Sequence, residues 1–192
     1  MESLLTGILS KVGDQGIEKI ARSAGVDSST AQSILSQAGP IILTKIADNT
    51  KSKEGLSSLN TALDNHDGSI LDNIDDLVNP EVDTKGGKIL GHIFGSSAGD
   101  LTTVLAKNNN TDSGSTSKLL EMAAPLILGQ IGSKKNSSNL DAGGIFDLLQ
   151  GEKQTLKDSG MLTSIATSLL DKDNDGSVVD DILGMAANFF KK

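Results

Sequence analysis

The chain has 192 residues, of which 25 are acidic and 17 are basic, so its formal net charge is −8. It contains no cysteine, which excludes disulfides, thiol catalysis and zinc sites built on cysteine. Tryptophan and tyrosine are absent, and Arg22 is the single arginine. The side chains that stack on bases or bind phosphates are therefore scarce. Because an acidic chain also repels a polyanion, we expect no nucleic-acid partner.

Hydrophobic residues make up 36% of the chain, which together with its glycines is enough for a packed core. No apolar stretch is long enough to cross a bilayer, so we expect no transmembrane segment. The N-terminus lacks the basic segment of a secretory signal. The cytoplasm is therefore the default location, and an exported or surface location stays open.

Apolar residues recur at helical spacing along most of the chain. Leu4, Ile8 and Val12, for example, lie on one face of a helix, and no strand-length stretch alternates strictly between apolar and polar residues. Polar and glycine-rich stretches mark short breaks, the first of them at 13–16. The pattern predicts an all-α protein.

The chain also repeats itself. The nine residues around Pro40 occur again around Pro125, with five identical positions and an offset of 85 residues. The register extends far enough to predict that 16–63 and 101–149 are two copies of one helical unit, which should superpose. In each copy the proline is expected to open a new helix or to kink a longer one. The simplest interpretation is a duplicated packing unit, and the alternative is a ligand-binding groove between the copies.

Between the copies, four glycines recur at every fourth residue: Gly87, Gly91, Gly95 and Gly99. A glycine destabilises a helix by about 1 kcal/mol relative to alanine. We therefore expect this row to be a ridge that packs closely against another helix, within the chain or across a dimer. His92 lies in the same segment and is expected to pack at that helix contact.

Three short strings along the chain point to a known family: N-H-D-G-S-I-L at 65–71, G-G-K-I-L-G-H-I-F-G at 86–95 and L-D-A-G-G at 140–144. Together they resemble the YidB-like proteins, a bacterial family of unknown function (DUF937). The resemblance covers about residues 1–150. It implies an all-helical fold and a bacterial source, and it brings no established activity, cofactor or catalytic residue.

The clearest site motif is D-K-D-N-D-G-S-V-V-D-D at 171–181, between two apolar helical patterns. Aspartates at positions 1, 3 and 5 and glycine at position 6 are typical of the first half of a calcium-binding loop. Position 12 is Ile182 in place of the usual glutamate, so the loop must close one residue earlier. We predict one Ca²⁺ of modest affinity, with these ligands: Asp171, Asp173, Asp175, the Ser177 backbone carbonyl and Asp181.

A shorter echo of this loop occurs at 64–72, where His66 lies beside Asp64 and Asp67. These three side chains could hold a divalent ion or cap a helix, and the cap is favoured. No motif of a known catalytic class occurs in the chain.

The sequence thus predicts a duplicated multi-helix bundle at 1–155, followed by a helix–loop–helix tail at 156–192. The preferred function is a non-enzymatic helical binding or scaffold protein that carries a calcium ion. A protein partner or self-association would fit this role. The alternative is an enzyme of unknown type, with its site in the groove between the two repeats.

Overall fold

The computed structural model describes residues 3–79 and 85–170. Within these ranges the chain forms α-helices and two short 3₁₀ turns, Ser69–Leu71 and Gly95–Ser97, and no β-strand. The all-α prediction is confirmed. The helices are α1 (Leu4–Ala24), α2 (Ser28–Asn49), α3 (Lys53–Leu63), α4 (Ile74–Val78), α5 (Gly86–Phe94), α6 (Ala98–Asn108), α7 (Ser113–Ser137), α8 (Ala142–Asp158) and α9 (Met161–Leu170).

The helix α7 lies at the centre of the fold. It contacts α1, α2, α3, α5, α6 and the 3₁₀ turn at 69–71. Its residues from Leu119 to Gly132 are buried with few exceptions, which is typical of a helix surrounded by protein on all sides. They contribute to both clusters of the hydrophobic core, one shared with α2, α5 and α8 and the other with α1 and α4.

Pro40 and Pro125 both lie inside long helices, α2 and α7, so neither proline opens a new helix. The aspartates that begin these helices also correspond at the 85-residue offset. Asp27 Oδ1 accepts a hydrogen bond from Thr30 N at 2.8 Å, and Asp112 Oδ1 accepts one from the N–H three residues on, also at 2.8 Å. Each of the segments 16–63 and 101–149 ends one helix, contains a long helix with a central proline and continues into a third. Their superposition as two like units stays a prediction.

The break expected at 13–16 is a kink within α1. Only Gly13 leaves the helical conformation, with φ +59° and ψ 178°, and the helix resumes at the next residue. This φ lies in the left-handed region, which side chains with a Cβ rarely adopt. The glycine therefore turns α1 without ending it.

The predicted glycine ridge is wrong within the chain. The helix α5 ends at Phe94, because Gly95 has a φ of +59°, so the row of four glycines does not lie on one helix. In the described part of the chain, no neighbouring atom lies within 4 Å of a Cβ built at Gly91, Gly95 or Gly99. His92 is exposed as well and does not pack at a helix contact.

The close approach occurs instead at Gly86, the first residue of α5. A Cβ added there would overlap the backbone carbonyl of Glu121 on α7. That carbonyl cannot receive its usual hydrogen bond from four residues on, because Pro125 has no N–H. The proline and the glycine together let the backbones of α5 and α7 touch.

Replacing these two kinds of glycine should change stability in opposite directions. Gly86→Ala should lower the free energy of unfolding by about 1–3 kcal/mol, because its methyl group overlaps a backbone atom of α7. Gly91→Ala should raise it by about 0.5–1 kcal/mol, because the site is helical and open. Urea denaturation of both variants measures the two changes. Equal effects, or a greater loss in Gly91→Ala, would contradict this assignment.

Candidate functional site

An open groove of about 400 Å³ lies between α1 and the segment that carries the 69–71 turn and α4. On α1, Lys11 lies before the kink at Gly13 and Gln15 and Lys19 lie after it, and all three line the same wall of the groove. The opposite wall is formed by residues 71–75. The remaining lining residues are Val12, Gly16, Leu71, Asp72, Asn73, Ile74 and Asp75.

Each wall of the groove carries charge of one sign. Lys19 Nζ lies 2.6 Å from Asp75 Oδ1, while Lys11 Nζ lies 3.9 Å from Asp72 Oδ1, which is beyond hydrogen-bond distance. The aspartate side chains are 73% and 79% exposed, so each ion pair contributes about 1 kcal/mol at most. Two lysines and two aspartates leave the lining without net charge.

Two exposed primary amides, those of Gln15 and Asn73, also line the groove. Within the described residues, neither side chain has a hydrogen-bond partner in the protein, and Asn73 precedes α4 without capping it. The floor below them is apolar: Val12 and Leu71 are buried, and Ile74 is partly exposed. The groove therefore combines a polar rim with an apolar floor.

The 64–72 turn uses its polar side chains in separate local contacts. His66 Nδ1 lies 2.8 Å from Ala62 O at the end of α3, and Asp64 Oδ1 lies 2.6 Å from Lys135 Nζ on α7. Asp67 Oδ1 accepts a hydrogen bond from Ser69 N at 3.0 Å, and this bond lowers the pKa of Asp67. These contacts agree with capping of the turn.

The same turn docks on α7 through glycines. A Cβ at Gly132 would overlap the carbonyl oxygen of His66, and a Cβ at Gly129 would lie 2.9 Å from Ile70 Cγ2. The string N-H-D-G-S-I-L therefore has a visible structural role, because it places the turn directly against the central helix.

A half-buried ion cluster joins α2 to α8, and no local pattern in the sequence marks it. Lys153 Nζ lies 2.6 Å and Lys51 Nζ 2.5 Å from Asp48 Oδ1. Burial alone would raise the pKa of Asp48, but hydrogen bonds from the two lysines outweigh it and lower the pKa overall. Gln150 Nε2 donates to Ala47 O beside this cluster at 2.7 Å. The cluster fastens the two helices together.

The predicted calcium ligands, Asp171, Asp173, Asp175, Ser177 and Asp181, lie outside the described residues. Across 3–79 and 85–170, no three His, Asp or Glu side chains converge as a metal-binding group. The groove found here is bounded by α1 and residues 71–75. Neither wall could be read from local spacing, because the α1 wall spans the kink at Gly13 and the other wall depends on how the chain folds back after α3.

A family model described as a bacterial protein of unknown function (DUF937) matches residues 7–134. Because the match covers two thirds of the chain, the protein belongs to this family, as the three strings predicted. Searches of curated proteins and of solved structures found no significant match. The matched region contains the 64–72 turn and every residue that lines the groove. No helix in the described part of the chain is long and apolar enough to span a membrane.

The docking of the turn on α7 can be tested at Gly132. Gly132→Ala should lower the free energy of unfolding by about 1–3 kcal/mol, because the new methyl group would force the His66 carbonyl away from α7. The matched control is Gly151→Ala on α8, an exposed helical site where a Cβ meets no atom within 4 Å. The control should be more stable than the parent by about 0.5–1 kcal/mol. A Gly132→Ala protein that unfolds like the parent in urea would show that the contact is loose.

Proposed function

We propose that this member of the DUF937 family is a non-enzymatic helical binding or scaffold module that holds a calcium ion in its C-terminal loop 171–181. The binding role rests on one observation above all. The groove beside α1 brings the exposed amides of Gln15 and Asn73, two ion pairs and the partly exposed Ile74 together in one concave surface, where a ligand could contact both polar and apolar groups.

The other polar contacts described above favour the same role. Aspartates cap α2, α7 and α8, and the Asp48 cluster joins two helices. His66 lies against the end of α3. In these places the charged and polar side chains hold helices together, whereas Gln15 and Asn73 in the groove make no side-chain hydrogen bond within the described residues.

The calcium ion is supported by the sequence. Three aspartates within five residues, followed by glycine, repel one another unless a cation lies between them. A hard divalent ion with oxygen ligands relieves this repulsion. Because position 12 lacks the bidentate glutamate, we expect a dissociation constant of about 10⁻⁵ to 10⁻³ M. Such an affinity suits an exported or surface location better than a low-calcium cytosol.

Calorimetric titration of Ca²⁺ into the metal-free full chain tests the ion site. The parent should release or absorb heat and gain thermal stability at millimolar Ca²⁺, while the double variant Asp173→Ala, Asp175→Ala should do neither. The matched control is Asp67→Asn with Asp72→Asn in the shorter echo of the loop. Asparagine at 67 still accepts the hydrogen bond from the Ser69 N–H, so the turn keeps its shape.

The control should bind Ca²⁺ as the parent does. A parent that shows neither heat nor stabilisation at millimolar Ca²⁺ would overturn the ion site. An unchanged response in the Asp173, Asp175 double variant would place the ion elsewhere in the chain.

A further inference from the structure

We infer that the groove between α1 and residues 71–75 is a binding site for a small zwitterion with an apolar side chain, either a free α-amino acid or a short peptide. This inference deepens the proposed binding function, on which it rests. It assigns that function a site, a class of ligand and the residues that select it.

The opposite signs of the two walls define the charge of the ligand. An anion would gain from Lys11 and lose to Asp72, and a cation would do the reverse, because the lining has no net charge. A zwitterion satisfies both walls at once. Its carboxylate would lie on the α1 side and its ammonium on the side of residues 71–75.

The two ion pairs differ in a way that fixes where these charges bind. Lys19 and Asp75 are already in contact at 2.6 Å, whereas Lys11 and Asp72 are 3.9 Å apart. The ammonium and carboxylate of an α-amino acid are bonded to one Cα through short bonds, so they are roughly 3 Å apart. They match the Lys11–Asp72 end, and the loose, exposed pair there is replaced at little cost.

The rest of the groove defines the body of the ligand. The groove volume of about 400 Å³ limits the ligand to one or two residues. Ile74 is partly exposed and offers an apolar surface to a side chain, while Val12 and Leu71 are buried behind the lining. The Gln15 amide can bind the peptide group of a second residue, so dipeptides fit as well as single amino acids.

The test is an NMR titration of the ¹⁵N-labelled full chain, kept metal-free so that loop 171–181 plays no part. Four probes are compared. Leucine is the reference, leucinamide lacks the carboxylate, N-acetyl-leucine lacks the ammonium, and leucyl-leucine adds a second residue. The protein variants are Lys11→Gln and Asp72→Asn. Lys157→Gln is the matched control, since this lysine is exposed on α8, away from the groove.

Leucine or leucyl-leucine should shift the amide signals of residues 11–19 and 71–75, with a dissociation constant of about 10 mM or below. Leucinamide and N-acetyl-leucine should bind about threefold more weakly or worse. Lys11→Gln should abolish the preference for leucine over leucinamide only, and Asp72→Asn the preference over N-acetyl-leucine only. Lys157→Gln should behave as the parent does. If leucine binds more tightly than leucyl-leucine, the ligand is a free amino acid. If leucyl-leucine binds more tightly, the ligand is a short peptide.

Several results would overturn the inference: no shifts at about 10 mM leucine or leucyl-leucine, shifts confined to another surface, or equal binding of all four probes. Unchanged preferences in both groove variants would overturn it too. Because the NMR titration is done without metal, a negative result would not bear on the calcium site that calorimetry tests. A negative calcium titration, in turn, leaves this result standing.

Discussion

The packing of the described helices depends on close backbone contact with the central helix α7. At Gly86 and at Gly132, a neighbouring segment lies so close that a single methyl group would overlap a carbonyl oxygen. Side chains fill the other contacts of α7, which is buried over most of its length. Because interiors are packed as densely as crystals, such contacts cannot be widened without separating the core on both sides of the helix.

The contacts with α7 also position the groove, because they hold the 64–72 turn in place. The turn lies on α7 at Gly129 and Gly132, and the chain that leaves it forms the 69–71 turn and then α4. The acidic wall of the groove is therefore positioned by the central helix, while the basic wall belongs to the kinked α1. The groove and the core are thus held by the same contacts.

Local patterns in the sequence were sufficient for the fold class and for several details. Helical spacing predicted an all-α chain, and the break expected at 13–16 coincides with the kink at Gly13. The glycine row was misassigned, because spacing alone cannot distinguish the exposed Gly91 from Gly86, which meets another backbone. Asp72 could not be matched with Lys11 from the sequence, since 61 residues separate them and only the tertiary fold brings them together.

Native-state hydrogen exchange, measured residue by residue by NMR, tests most directly whether α7 organises the fold. If it does, the amides of 119–131 should exchange only through global unfolding, with the highest protection in the chain. The amides of the 64–72 turn that lie on α7 should be more protected than exposed turns elsewhere. Faster exchange in α7 than in α2 or α8, through local opening, would contradict the account.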